Sequence, residues 1–214
     1  MEDITFKELW KAQDEKLDRS MKLNLYLLES MQKQKAESKL NSLARFKGWA
    51  VALGILWIAF LGLLIYGNQL QNLYFTVSVG AILLFNIAAV IIYIKHIVII
   101  KGLDYSQSIT GTQERLSKLQ TSTFNLRFLL LQTPFYSTWF WSGEMISGMG
   151  MKFWLISVPI TLFFTLLAIW LYRNLTLDNM HKKWVRALIN STPEHTSVFK
   201  AMDFLKEIEE FKKG

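Results

Sequence analysis

Between Lys47 and Lys95 the chain carries no Asp, Glu, Lys, Arg or His. An uncharged run of that length has few homes. A helix crosses a hydrocarbon core of about 30 Å with about 20 residues, so the run is too long for one crossing and suits two. The only polar cluster inside it is Gly67-Asn68-Gln69 followed by Gln71-Asn72, which marks a turn. The first span is therefore expected at 48–67 and the second at 73–95.

A second hairpin follows. Residues 128–151 carry one charge, Glu144, and residues 153–172 carry none. The third span is expected at 125–142 and the fourth at 153–172. Gln132, Thr133, Pro134, Ser137 and Thr138 dilute the apolarity of the third, which leaves a kinked or re-entrant helix open there. The expected fold is all-α: an integral membrane protein with four transmembrane helices in two hairpins and long cytoplasmic helices. It divides into a helix over 1–46, a transmembrane domain over 47–172 with a helical connector at 101–124, and a helical tail over 173–214.

Basic side chains flanking spans stay in the cytoplasm. Arg45, Lys47, Lys95, Lys101, Lys118, Arg127 and Arg173 fall at one set of ends, and only Lys152 at the other. Both termini are thus expected inside, at the inner (plasma) membrane. Aromatic anchors agree, with Trp49 and Trp170 at the inner interface and Tyr66, Trp139, Trp141 and Trp154 at the outer one. The outer loops, 68–72 and 143–152, are too short for a folded domain. The charged start Met1-Glu2-Asp3 does not fit the short basic opening of a cleavable signal, so the first apolar run is expected to insert as its own anchor.

Composition narrows the chemistry. Lys and Arg outnumber Asp and Glu by 24 to 17, a net charge of +7. The surplus follows the membrane flanks rather than forming a patch for nucleic acid, so no direct nucleic-acid partner is expected. With no cysteine, disulfides, thiolate metal sites and cysteine nucleophiles are excluded. Gly-rich phosphate cradles, Gly-x-Ser-x-Gly elbows, His-Glu-x-x-His helices and paired catalytic carboxylates are missing. Nothing points to an enzyme or to a cofactor.

Residues 5–46 read as one long helix. Leu17, Met21, Asn24, Leu28 and Met31 alternate spacings of four and three, the seam of a coiled coil, and Asn24 would fix register there. Leu23, Leu25 and Leu27 widen the apolar face. Such a face either packs on the rest of the same chain or takes a cytoplasmic protein partner or a second copy. The connector repeats the spacing in Tyr105, Ile109, Thr112, Leu116, Leu119 and Thr123. Ser117-Lys118-Leu119 before Arg127-Phe128 echoes Ser38-Lys39-Leu40 before Arg45-Phe46, which hints at two copies of one unit. In the tail, 173–190 is expected to prolong the fourth span with Leu177, Met180, Trp184 and Leu188 on one face. Thr192-Pro193-Glu194 then has the pattern of a helix start. The helix it opens turns Val198, Met202, Leu205 and Ile208 inward and Lys206, Glu209, Glu210 and Lys212 outward. Its basic residues suit an anionic lipid surface.

Polar groups inside the spans are few. Asn86 lies near the middle of the second span, where an amide needs an interhelical partner. Ala50 and Gly54 allow a close helix approach. Pro134 and Pro159 are expected to kink their spans, with Thr133 and Thr161 bonding nearby backbone groups. Glu144 sits at the outer end, where a carboxylate costs little, within range of Lys152. Together with Gln132 these are the intramembrane polar candidates. Paired kinks around a cavity would suit a small transporter or channel component. Met145, Met149 and Met151 read as interfacial packing, and His96, His181 and His195 match no metal-ligand spacing.

Two segments, Glu8-Leu9-Trp10-Lys11 with Gln13-Asp14-Glu15-Lys16-Leu17, and Leu131-Gln132-Thr133-Pro134-Phe135-Tyr136-Ser137-Thr138-Trp139, resemble a family of small four-helix bacterial inner-membrane proteins. The resemblance implies a charged helical N-terminus before four spans, and an association with alternative sigma factors. It carries no catalytic residue. The chain lacks the His-x3-Cys-x2-Cys of zinc-binding anti-sigma proteins, so an anti-sigma-like role would be metal-free. The leading expectation is a membrane-anchored interaction or regulatory protein. The alternatives are a transporter component and a homo-oligomeric structural protein.

Overall fold

The computed structural model describes residues 2–103 and 109–213, which contain helices and turns and no strand. The first element, α1, is a single unbroken helix Glu2–Asn68 of 67 residues, about 100 Å long at 1.5 Å per residue. No proline interrupts it, and its glycines all lie in the apolar half. It ends where the polar cluster was expected. Gln69 and Leu70 take positive φ of 46° and 63°, reversing the chain tightly. The Asn72 side chain then accepts from Phe75 N and caps α2, Leu73–Lys101.

Helix α3, Ile109–Asn125, runs directly into a 3-10 segment, Leu126–Gln132, and then α4, Thr133–Thr138. This replaces the α-helical span expected at 125–142. The cause lies in Pro134. In an α-helix the Leu130 carbonyl would accept from residue 134, but proline has no N–H. The Thr133 backbone N–H takes that carbonyl instead, and the Thr133 hydroxyl adds a bond at 2.6 Å. The helix tightens accordingly.

A short α5, Gly143–Met149, occupies the loop expected on the outer side. Around Pro159 the helix loosens rather than tightens. A π-helical turn, Phe153–Ser157, precedes α6, Val158–Asn174, with Val158 N bonded to Phe153 O. The Thr161 hydroxyl donates to Ser157 O at 2.8 Å.

The tail differs from the expected prolongation of α6. The chain breaks at Leu175, where ψ is 73°, forms a 3-10 turn Leu177–His181, and starts a separate α7, Lys183–Asn190. Asn179 Nδ2 donates to Asn174 O and Lys182 Nζ to Asn174 Oδ1, so polar side chains hold the break. Among the described side chains of α7, Val185 and Ile189 are buried, while Trp184 and Leu188 stay partly exposed. The last helix, α8, begins at Pro193 as its sequence signal implies and runs to Lys213.

By length and composition three helices can cross a membrane: α1, α2, and the π-turn continuing into α6. In their most apolar windows only 6%, 17% and 11% of residues are buried within the chain. Core helices of a water-soluble bundle would be covered. These present Trp57, Phe60, Leu63, Leu84, Phe163 and Leu166 outward, an apolar surface that lipid satisfies and water does not.

The charged half of the chain forms a second body. Ala36, Leu40, Leu43 and Ala44 of α1 pack with Ile100 and Leu103, with Leu116 and Leu119 of α3, and with Val198, Ala201, Leu205 and Ile208 of α8. Both Ser-Lys-Leu segments thus contribute their leucine, Leu40 or Leu119, to one core. Of the connector seam, Thr112, Leu116, Leu119 and Thr123 are buried; Tyr105 and the Ile109 side chain lie outside the described residues, as do the Glu209 and Lys212 side chains on α8.

Candidate functional site

The buried stripe of α1 steps from Ala36 to Leu40 to Leu43 and then to Lys47. A lysine in that position has no water: its side chain is 0% exposed. An unpaired ammonium there would be prohibitive, and the fold brings a carboxylate to it. Glu194, in the first turn of α8, accepts from Lys47 Nζ through Oε2 at 2.7 Å. Its other oxygen accepts from the Tyr93 hydroxyl of α2 at 2.8 Å. The ammonium also lies over the Tyr93 ring, 4.3 Å from its centroid, a cation–π contact that desolvation strengthens.

One turn along α2, His96 is fully buried. Its Nε2 lies 2.8 Å from the Ser122 hydroxyl of α3, and its Nδ1 has no hydrogen-bond partner. An orphaned donor is costlier than an orphaned lone pair, which favours the tautomer with the proton on Nε2, donating to Ser122. The cluster therefore joins α1, α2, α3 and α8 where the apolar helices meet the charged bundle. Further along, Gln32 of α1 bonds Glu207 of α8, and Lys35 lies over the Phe204 ring. Helix α8 thus runs antiparallel along the face of α1 from Lys47 back to Gln32.

A polar seam continues from this cluster along α2. Asn86 Nδ2 donates to Gln132 Oε1 at 3.2 Å and to Ile82 O at 2.7 Å. Ser78 and Thr138 join hydroxyls at 2.7 Å, and Asn72 Nδ2 donates to Trp141 O at 2.8 Å. Rising numbers on α2 meet falling numbers on its neighbour, so the 122–141 segment lies antiparallel to 72–96. Of the intramembrane candidates, the fold brings Asn86 and Gln132 together as a satisfied amide pair. Pro134 sets the 3-10 break two residues on. Glu144 stands apart, exposed, with no ion pair to Lys152.

The seam residues of the N-terminal helix are placed differently. Leu17, Met21 and Met31 are more than half exposed, Asn24 is exposed and Leu28 half-buried. The lower part of α1 packs on its own chain, and the upper part extends past it as an arm that exposes both these apolar side chains and many charged ones. Met149 and Met151, which bracket Gly150 after α5, are exposed. His181 is exposed, with Nδ1 beside Asp178 O, and the His195 side chain lies outside the described residues. No group of three His, Asp or Glu side chains among the described residues could hold a metal ion.

A groove of about 480 Å³ opens beside the 3-10 segment, lined in part by Phe124, Arg127, Leu130, Tyr136 and Ile189. Arg127 Nη1 donates to Leu175 O at 2.9 Å, and its guanidinium lies 5.0 Å from the Tyr172 ring centroid.

Sequence reasoning read Lys47 as a membrane flank and Glu194 as a helix-start acid. The signal for their pairing was present. Lys47 prolongs the periodicity of Leu40 and Leu43, and a cation on a core stripe requires a buried anion. Comparisons with family models, with curated proteins and with solved structures find no match to this chain.

Proposed function

We propose that this chain is a four-span inner-membrane protein, with both termini in the cytoplasm, that binds a protein partner through the arm of α1. Basic residues at one set of helix ends support that orientation. The third crossing is supported by the polar seam, which sets residues 122–141 beside residues 72–96 of α2. A 3-10 segment rises about 2.0 Å per residue against about 1.5 Å in an α-helix. Fewer residues can then cover nearly the depth that α2 covers.

The observation that carries the functional reading is the unpacked seam of α1. The Lys47–Glu194 cluster pins α8 to the base of the bundle, and α8 covers α1 from Lys47 up to Gln32. Beyond it, Leu17, Met21, Leu27 and Met31, which share one side of the helix at 100° per residue, remain open, and Leu23 and Tyr26 are exposed on its other sides. An amphipathic helix held out from a membrane base, with its apolar side free, is suited to taking up a partner's groove or helix. The sequence resemblance favours a transcription regulator, in a metal-free anti-sigma-like arrangement, as that partner.

Full-length tagged protein, crosslinked in cells and purified in detergent, tests this. A cytoplasmic protein should co-purify with the unaltered chain and be lost from a Leu17→Asp/Met21→Asp variant. Recovery of only a second copy of the chain would replace partner binding by self-association. Recovery of nothing would remove the reading.

A further inference from the structure

Helix α7 has no part in the arm or the Lys47 cluster, and its residues sort into three sectors. At 100° per residue, Val185 and Ile189 share the side that packs on Phe124. Trp184 and Leu188 share the adjoining side and are 37% and 45% exposed. Lys183 and Arg186 occupy the remaining side, both exposed. Trp184 stacks on Trp170 of α6 with centroids 5.2 Å apart and planes at 16°, and Trp170 is itself 49% exposed. This fixes α7 at the depth where α6 ends. Arg173 lies one helical turn beyond Trp170, exposed. From Arg173 to Asn190 the sequence holds Arg173, Lys182, Lys183 and Arg186 against a single acid, Asp178.

A paired-tryptophan face beside an exposed cationic face is the arrangement of an interfacial helix. The groove next to α7 adds apolar surface, its lining including Ile189 of α7 with Leu126, Leu129 and Leu130. We infer that α7 and the end of α6 form a binding site for anionic phospholipid of the inner leaflet. Arg173, Lys183 and Arg186 take the headgroup phosphate. Trp170, Trp184 and Leu188 enter the acyl boundary, and the groove receives part of an acyl chain. Charge complementarity selects this occupant, since a zwitterionic headgroup offers the three cations no net charge. The inference rests on the proposed membrane placement.

The test uses full-length protein in vesicles of phosphatidylcholine containing brominated phosphatidylglycerol or brominated phosphatidylcholine at equal mole fraction. The signal of Trp184 is isolated by difference from a Trp184→Phe variant. Brominated phosphatidylglycerol should quench Trp184 several-fold more strongly, and Arg173→Gln/Lys183→Gln/Arg186→Gln should abolish the preference. Lys183→Gln alone should weaken it, which guards against misfolding of the triple variant. Rising salt should erode the preference. Equal quenching by both lipids, or a preference that survives the triple variant, overturns the site while leaving the membrane placement intact. Displacement of the preference by millimolar glycerol phosphate would assign the cations to a soluble phosphate and also overturn it. Quenching of no tryptophan by either lipid would instead overturn the membrane placement.

Discussion

Lys47 and Glu194 stand 147 positions apart in the chain, and their charged atoms meet at 2.7 Å in a site that excludes water from the ammonium. The pair fastens the first turn of α8 to α1 by opposite charges. Tyr93 adds a third hydrogen-bonding element from α2.

Removing one member of a buried pair strands the other. Lys47→Met should therefore destabilise the folded protein by about 3 kcal/mol, and Glu194→Gln by at least as much, because the amide keeps one acceptor oxygen where the carboxylate uses two and leaves the fully buried ammonium without a counter-charge. Lys47→Met/Glu194→Gln should recover part of the loss. Thermal unfolding of the detergent-solubilised protein gives the coupling, and proteolysis within α8 reports whether that helix has come away. Additive losses would mean that the ion pair does not hold α8.

At Gly54 of α1 a Val90 side chain of α2 fills the space that a Cβ would take. A Cβ added there would lie 2.7 Å from Val90 Cγ2, whereas one added at Gly62 meets nothing within 4 Å. Gly54→Ala should cost about 1–3 kcal/mol through overpacking, and Gly62→Ala should be neutral. Val90→Ala combined with Gly54→Ala should regain most of the loss. Melting temperatures of the four proteins in one detergent decide the matter.

Pro134 is responsible for the 3-10 stretch, so Pro134→Ala should let the Leu130 carbonyl regain an α-helical bond. The segment Leu126–Gln132 would then shorten by about 3 Å, shifting Thr138 off Ser78. The chain has no native cysteine, which makes this measurable. Ser78→Cys/Thr138→Cys should form a disulfide readily under mild oxidation, and adding Pro134→Ala should reduce its yield several-fold. An unchanged yield would place the cause of the tightening elsewhere.

Periodicity made much of this legible from the residues. Leu116, Leu119, Val198, Leu205 and Ile208 repeat at helical spacing and form one core. The need of Asn86 for a partner was readable because an amide at mid-membrane has no water. The identity of that partner, Gln132, depends on how two helices align, which no local pattern encodes. The tail misled because Arg173 to Asn190 keeps a helical apolar rhythm. That rhythm cannot report that Asn174, Asn179 and Lys182 satisfy the backbone of a break. In the two segments that hold Pro134 and Pro159, proline announces an interruption, but tightening at the first and loosening at the second depend on which neighbouring donors remain. Lys47 reads as a membrane flank from its place beside the apolar run, and that explanation of its charge gives no hint of its buried partner Glu194.

The account depends above all on where the two hairpin turns lie. Single cysteines at Gln69, Gly148, Ser38 and Lys206, each in the otherwise cysteine-free chain, can be probed with a membrane-impermeant maleimide on intact cells. Gln69→Cys and Gly148→Cys should both label from outside. Ser38→Cys and Lys206→Cys should label only after permeabilisation. Labelling of Gly148→Cys from the inside alone would contradict the second hairpin, and with it the proposed cytoplasmic placement of the α1, α3 and α8 bundle.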